Sequence, residues 1–408
     1  MQGNGGLIVG LDIGTTKICT VVGEANPDGI DIVGIGTHPS IGLRKGVVVN
    51  IESTVNSIRR AVEEAELMAG CEITSVYVGI AGGHITGFNS HGIVAVKGNE
   101  VTQKDIERVI NAARAVAIPP DREVIHVLPQ EYIVDEQAGI HEPLGMSGVR
   151  LEAKIHIVTA AVTSAQNLIK CANRAGLDVC DIVLQSLASS ESVLNEEEKD
   201  LGVALIDFGG GTTDLAIFKG RSIKHSSVLA LGGNNLTNDI SVGLRTPMAE
   251  AEKIKIRYGT CFAGNVGKDE TIEVAGVSGH KPRTISRQIL AEIIEPRVEE
   301  IFDLVNREIY RARAEDMPTS GVVITGGSCL LEGVVDIAEA IFSLPTRIGM
   351  PMGIRGLVDV VNNPMYATAV GLVLYGGKFQ PKKKFRIRDG NIFNRVLARM
   401  KKWTKDII

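Results

Sequence analysis

Residues 201–218, LGVALIDFGGGTTDLAIF, decide how the rest of the chain is read. An apolar run from Val203 to Ile206 ends at Asp207. Three glycines follow, then Thr212-Thr213-Asp214, then a second apolar run. The pattern predicts strand, tight turn, strand. Gly209, Gly210 and Gly211 have no Cβ, so their N–H groups can converge on an anion without steric cost. The Thr212 and Thr213 hydroxyls add donors. Asp207, at the strand end, is placed to hold a phosphate-bound Mg²⁺ through water.

A second copy of this pattern lies near the N-terminus, at residues 7–22, LIVGLDIGTTKICTVV. The order repeats: apolar run, Asp12, Gly14, Thr15-Thr16, then Lys17 leading into another strand. Lys17, read as the counterpart of Asp214, can neutralise phosphate charge directly. Two such hairpins imply a duplicated domain in which each half offers a phosphate loop. Neither is a Walker A loop, because no strand–GxxxxGK[ST]–helix unit is present.

At 408 residues the chain has room for two or more domains with sizeable cores. No apolar run of about 18 residues exists, so no helix is expected to span a membrane. No signal peptide precedes Leu7. The six cysteines are scattered without a C-x-x-C pair, which reads as buried free thiols in a reducing compartment. Charge is uneven. Residues 381–408 hold ten Lys or Arg against Asp389 and Asp406, a net +8, so residues 1–380 carry −13 of the chain's −5. A basic tail on an acidic body suggests that the tail has its own anionic partner.

Taken in order, a third strand over 30–37 follows the first hairpin. A helix over 54–68 places Val55, Ile58, Val62, Ala65 and Met68 on one face and ends at Gly70. A buried strand covers 76–81. Residues 84–160 read as a small inserted β-rich subdomain. Its expected parts are a short strand over 92–96, a helix from Gln103 to about Ala117 capped by Thr102, and strands over 123–134 and 149–159. His126, His141 and His156 are too far apart in sequence to argue for a metal. A helix over 164–175 and a strand over 179–183 lead to Gln185, at a strand-to-helix junction. Beyond the central hairpin, a strand over 227–231 ends in Gly232-Gly233. Helices over 235–243 and 248–258 follow, the latter carrying Glu252 and Lys255 on one face. A hairpin is expected within 269–279. A long helix over 286–313 has Ile289, Ile293, Val298, Ile301, Leu304, Val305 and Ile309 as its apolar face, with Pro296 inside it. A strand over 321–325 ends in Gly326-Gly327-Ser328, a third glycine turn suited to close approach by a base or sugar. A helix over 330–344 and a small-residue helix over 365–376 complete the body.

Residues 391–408 follow a basic linker, 379–390. On a helical wheel Ile392, Phe393, Val396, Leu397, Met400, Trp403, Ile407 and Ile408 fall within an arc of roughly 160°. Arg395, Arg399, Lys401, Lys402 and Lys405 lie outside it. A segment about 27 Å long with these charges does not span a bilayer. It has the pattern of a helix lying in an anionic membrane surface.

Asp12-Ile13-Gly14-Thr15-Thr16-Lys17, Gln185, the 207–214 loop and Gly326-Gly327-Ser328 occur in the order seen in the actin, hexokinase and DnaK-type ATPase superfamily. Within it the chain resembles the FtsA family of bacterial division proteins over essentially its whole length. Two features separate it from MreB. It lacks an insertion after the third strand and carries one at 84–160, and it ends in a basic amphipathic helix. The resemblance implies an α/β, actin-like ATPase fold, two related halves flanking a nucleotide cleft, with inserted subdomain 1C in the first half. It divides the chain into 1–83 with 161–198 (1A), 84–160 (1C), 199–234 with 315–378 (2A), 235–314 (2B), the linker 379–390 and the membrane helix 391–408.

The resemblance also implies roles. Gly14, Thr15, Thr16 and Lys17 would clamp the ATP phosphates from one side, and Gly209, Gly210, Gly211, Thr212 and Thr213 from the other. Asp12 and Asp207 would hold Mg²⁺ through its waters, and Gln185 would orient an attacking water. Gly232, Gly233, Glu252, Lys255, Gly326, Gly327 and Ser328 would surround adenosine. The expected function is an ATP-binding, filament-forming adaptor that anchors the FtsZ ring to the membrane. ATPase activity would be weak at most, at the cytoplasmic face of the bacterial inner membrane at the division site. Expected partners are the FtsZ C-terminal peptide, further copies of the chain, other divisome proteins through subdomain 1C, and the anionic membrane surface, with no nucleic acid. The resemblance puts the peptide at about 235–310, where Arg287 and Arg297 stand beside apolar positions. A soluble PilM-like pilus-assembly scaffold and a small-molecule kinase are the alternatives.

Overall fold

The computed structural model describes residues 6–276, 281–312 and 317–378. The linker and the amphipathic segment with Trp403 lie outside the described residues.

Two sheets share one wiring scheme. In the first half the strand order is Asp178–Leu184, Ser75–Ile80, Leu7–Ile13, Lys17–Asn26, Gly29–Pro39 and the short Arg355–Gly356. In the second it is Thr346–Ile348, Val322–Thr325, Val203–Phe208, Thr213–Lys219 and Ser222–Leu229. Each has a three-stranded antiparallel meander, and parallel strands extend the sheet from the meander's first strand. The duplication expected from the two hairpins is therefore present in the sheets.

There are two large apolar cores, the first of which reaches into the second half's sheet at Val203, Leu205 and Phe218, and the contacts that close them demand small residues. A Cβ on Gly36 would sit 2.0 Å from the Ala61 carbonyl oxygen of the helix Ile51–Ala69. The small-residue helix Ala367–Lys378 packs on the helix Gln185–Val193, where a Cβ on Gly371 would meet the Ala188 carbonyl oxygen at 1.9 Å. Gly70 ends Ile51–Ala69 in the left-handed conformation, φ 64°, that glycine adopts without strain. Of the six cysteines, all free, Cys19, Cys171, Cys261 and Cys329 are buried, and Cys71 and Cys180 are partly so.

The inserted region is a four-stranded sheet, ordered Thr86–Ala95, Arg150–Ala161, Arg122–Val134 and Gln137–Ile140, with the helix Gln103–Arg114 against it. Thr102 and Asp105 cap that helix reciprocally, as the sequence predicts. The first strand is longer than the expected 92–96. Its added half carries Asn89, Ser90 and His91: Asn89 Nδ2 donates to the Lys224 carbonyl of the other half at 3.0 Å, while the Ser90 hydroxyl donates to the Ala113 carbonyl and His91 pairs with Glu152 within the insertion. The short strand Gln137–Ile140 had no apolar alternation to announce it.

Three further expectations are corrected. The hairpin placed within 269–279 pairs Thr271–Val274 with Arg283–Ser286, so its second strand lies beyond that window. The long helix, Arg287–Arg311, buries Leu290, Ala291, Ile294, Val298, Ile301, Phe302, Val305 and Ile309. Ile289 is instead 44% exposed and Ile293 only half-buried, because the true stripe starts one residue later in its first two turns. Pro296 is tolerated on the exposed side, where water can take the carbonyl it leaves without a donor. The expected helix over 330–344 is a 3-10 turn, Gly327–Leu330, and a separate helix, Val334–Phe342, parted by Gly333 at φ 78°.

Candidate functional site

The two hairpin loops have the same length. Ile13 pairs with Ile18 across the first and Phe208 with Thr213 across the second, leaving four loop residues in each. Gly14 N–H donates to the Lys17 carbonyl at 3.1 Å, and Gly209 N–H to the Thr212 carbonyl at 3.0 Å. This register makes Asp12 the equivalent of Asp207 and Gly14 that of Gly209. Lys17 then corresponds to Thr212, and Asp214 to Cys19, which corrects the pairing of Lys17 with Asp214. The Thr-Thr pairs are offset by two residues between the loops, Thr15-Thr16 standing where Gly210-Gly211 stand in the second, and sequence similarity had hidden the offset.

The loops touch. A Cβ on Gly210 would lie 2.4 Å from Thr16 Cγ2, and one on Gly211 would lie 2.3 Å from Thr15 Oγ1. Between and beside them is a cavity of ≈ 280 Å³. Its walls include Asp12, Gly14, Thr15, Thr16, Lys17 and Gln185 from the first half. From the second come Asp207, Gly209, Gly210, Gly211, Thr212, Glu252, Lys255, Gly326, Gly327 and Ser328. Thus the structure brings together residues up to 356 positions apart in sequence, Asp12 and Thr368. Thr213, Gly232 and Gly233 stand behind the wall. The Thr213 hydroxyl donates to the Leu231 carbonyl at 2.9 Å, Gly233 N–H donates to the Gly209 carbonyl at 3.0 Å, and a Cβ on Gly232 would be 2.6 Å from that same oxygen. They shape the loop rather than line the cavity.

Three carboxyls gather where the central strands end. Gln185 Nε2 donates to Asp12 Oδ1 at 2.9 Å. Ser189 and Thr368 hydroxyls donate to Asp207 Oδ2 at 2.7 and 2.9 Å. Burial pushes the Asp12 carboxyl up to about 7, with Lys17 opposing and Asp207 adding to the rise. Burial likewise raises Asp207, against the hydrogen bonds from Ser189 and Thr368 and the charge of Lys17. Asp214 is raised well above the ordinary carboxylate range, by burial and then by Asp207. A cation between Asp12 and Asp207 would relieve these costs, so the donor set fits a hard divalent ion carrying water and phosphate oxygens on its remaining positions. Lys17 Nζ donates to the Met365 carbonyl at 2.7 Å and lies 4.1 Å from the centre of the Tyr366 ring.

On the second half's side of the cavity, Lys255 Nζ lies 2.7 Å from Glu252 Oε2 and donates to the Gly233 carbonyl at 3.1 Å and to Thr237 Oγ1 at 2.9 Å. Lys255 is buried, so this is a structural node rather than a solvated surface pair. Ser328 Oγ donates to the Gly209 carbonyl at 3.0 Å. Ser189, Thr368 and His84 belong to the site's surroundings and were missed in the sequence. A threonine inside an otherwise small and apolar helix was the available signal for Thr368.

Arg287 and Arg297 lie elsewhere and are engaged. Arg287 donates to the Tyr258 carbonyl at 2.9 Å and pairs with Glu270 at 2.8 Å and with Glu332. Arg297 pairs with Asp239 at 2.6 Å and with Glu300.

A family model described as cell division protein FtsA matches residues 204–371, and one described as the SHS2 domain inserted in FTSA matches 82–159. The chain is 54% identical to a cell division protein FtsA of Pseudomonas aeruginosa over 409 aligned positions, covering 98% of each chain. The chain belongs to the FtsA family of cell division proteins. Family relatives from Neisseria meningitidis and Escherichia coli are 47% and 43% identical, covering 97% and 98% of this chain and 97% and 96% of theirs. Among solved structures, the fold is similar to a PilM–PilN type IV pilus biogenesis complex, with TM-score 0.66, 17% identity, and 91% of this chain and 98% of that one covered. It is also similar to MreB5 of Spiroplasma citri bound to ADP, with TM-score 0.55, 16% identity, and 90% and 94% covered. At those identities the likeness shows the actin-like fold alone, and the FtsA family membership rests on the full-length relatives. Among the described residues no helix is long and apolar enough to cross a membrane.

Proposed function

We propose that the cavity between the hairpins binds ATP with Mg²⁺ and that the chain is the membrane-tethering, filament-forming adaptor of a division ring. One observation carries the nucleotide reading: two glycine loops of identical register meet at one cavity with Asp12 and Asp207 buried beside them. MreB5 of Spiroplasma citri, of the same fold, is described as bound to ADP in one structure and to AMPPNP in another, which supports a nucleotide reading.

Magnesium, when bound, would neutralise phosphate charge between the Asp12 and Asp207 carboxylates. The backbone N–H groups of both loops and the Lys17 ammonium would hold phosphate oxygens. Gln185, whose amide already donates to Asp12, is poised to orient a water at the edge of the phosphate site. Lys255, Gly326 and Ser328 would border the nucleoside. Hydrolysis needs little from this set, and closing the cleft serves to order the monomer for assembly.

The test is affinity for ATP–Mg²⁺, measured by calorimetry. Asp207→Ala removes metal support and should weaken binding by roughly tenfold or more. Gly210→Asp drives a charged side chain into Thr16 and should weaken it further. Parent-like affinity in both variants would overturn the assignment.

A further inference from the structure

His84 lines the cavity from the first half, four residues past the end of the strand Ser75–Ile80. Neither of its ring nitrogens bonds another residue among the described residues, and Nδ1 is buried. A buried polar atom left in this way costs stability, and in a native protein it calls for an explanation. The imidazole torsion is broad and two-fold, so a ligand filling the cavity can turn the ring and supply the missing partner. Burial holds the His84 pKa below its ordinary value, with a bond to its own backbone opposing and the charge of Arg122 adding. The ring is therefore neutral at pH 7 and offers one N–H donor and one acceptor.

The seat of the ring is built by its neighbours. Ile85 N–H donates to the Gly82 carbonyl at 2.9 Å, closing a turn over 82–85. Gly82 has φ 126°, and a Cβ there would lie 3.1 Å from His84 Nε2, so glycine leaves the ring its place. Arg122, at the start of the strand Arg122–Val134 in the insertion, donates through Nη2 to the His84 carbonyl at 2.8 Å. The same guanidinium donates to Thr159 Oγ1 at 3.0 Å and to the Thr159 carbonyl at 3.1 Å, which holds the clamp still.

The ring stands at the phosphate end. The strands Ser75–Ile80 and Asp178–Leu184 run side by side with Ile80 opposite Leu184, so the residues that follow them emerge together. Gln185 is the first of these on its strand, and a Cβ on Gly79 would lie 3.1 Å from Gln185 Cγ. On the other side, a Cβ on Gly46 would lie 2.9 Å from Gly82 Cα, and Gly46 N–H donates to Thr15 Oγ1 at 3.0 Å. His84 thus continues a wall that carries Gln185 and Thr15. Glu252, Lys255 and Ser328, toward the nucleoside, all come from the second half.

We propose, given ATP in this cavity, that His84 donates a hydrogen bond to the terminal phosphate and so distinguishes a nucleoside triphosphate from a diphosphate. A donor at this end gains its acceptor only when the row of phosphates is long enough to reach it, and a charged acceptor strengthens the bond.

The experiment compares the affinities of the full-length protein for the Mg²⁺ complexes of AMPPNP and ADP by calorimetry. In the parent, the imidazole resonance of His84, assigned by its loss in His84→Gln, should move further with AMPPNP than with ADP. His84→Ala should weaken AMPPNP binding by roughly fivefold or more and leave ADP affinity within about twofold. His84→Gln keeps a side-chain N–H donor and should recover part of the loss. An equal loss for both nucleotides would make His84 a support of the fold and overturn the proposal. So would no loss for either, or a His84 resonance that responds alike to both. A parent that binds neither nucleotide would overturn the nucleotide assignment and this proposal with it. A parent that binds both, with the same affinity ratio in His84→Ala, overturns only the role of His84.

Discussion

Asp12 shows how burial sets chemistry at a single residue. Its carboxyl rises from 3.8 to about 7, with desolvation as the leading cause. A group that holds its proton more tightly folded than unfolded loses stabilising power as pH climbs through that window, here from about 4 to about 7. Asp207 and Asp214 are raised as well and act in the same direction. Asp12→Asn removes the charge while keeping an oxygen to accept from Gln185. In protein free of nucleotide and metal, the melting-temperature gain of Asp12→Asn over the parent should be larger at pH 8 than at pH 5. A gain equal at both values, or none, would show that Asp12 is not the strained group. Saturating Mg²⁺ and ATP should shrink the difference by favouring the ionised form.

At the scale of elements, the long helix Arg287–Arg311 connects packing to partner choice. Its inner stripe is committed to the second half's core, so only the outer side is available. Arg287 stands at its first position and Arg297 ten residues on, about 15 Å along the axis. We propose that this side receives the C-terminal peptide of FtsZ. Each guanidinium is already held by two carboxylates, so an acidic peptide would have to compete with Glu270 and Glu332, or with Asp239 and Glu300. Such exchange gives modest affinity and steep salt dependence. Charge reversal at both arginines should weaken peptide binding several-fold in fluorescence anisotropy, and an unchanged affinity would move the site off this helix. The helix also shows where pattern reading fails. Ile289 and Ile293 are as apolar as Leu290 and Ile294, and a stripe one residue out of phase scores almost as well. Only the core that the helix meets selects between them.

The whole molecule joins an acidic, folded body to a basic tail that lies outside the described residues. We propose that residues 391–408 lie in the membrane surface and hold the filaments there. Each Lys or Arg near an anionic leaflet contributes on the order of 1 kcal/mol, and burying Trp403, the chain's single tryptophan, about 2 kcal/mol more. Trp403→Glu should therefore cut vesicle binding by more than about tenfold and leave ATP binding intact. Electron microscopy on lipid monolayers with ATP should show filaments for the parent and none for this variant. Equal vesicle co-sedimentation by a chain ending at Lys378, with no blue shift of Trp403 fluorescence in the parent, would rule the anchor out.

The duplicated hairpins, the glycine turns, the capped helix at Thr102 and the inserted β-rich unit were all legible in the sequence. Each is a local pattern, set by periodicity, by the φ freedom of glycine, or by side chains that bond to their own backbone neighbours. The equivalence of Lys17 with Thr212, the buried node at Lys255 and the roles of Ser189 and Thr368 were not. They depend on strand register and on how separate elements pack: Lys255 reaches Gly233 and Thr237 on a neighbouring helix, and Asp207 collects Ser189 from the preceding helix and Thr368 from one 161 residues on. The same holds for the seam where hydrogen bonds from Asn89, Gln130 and His156 fix the inserted sheet against the second half.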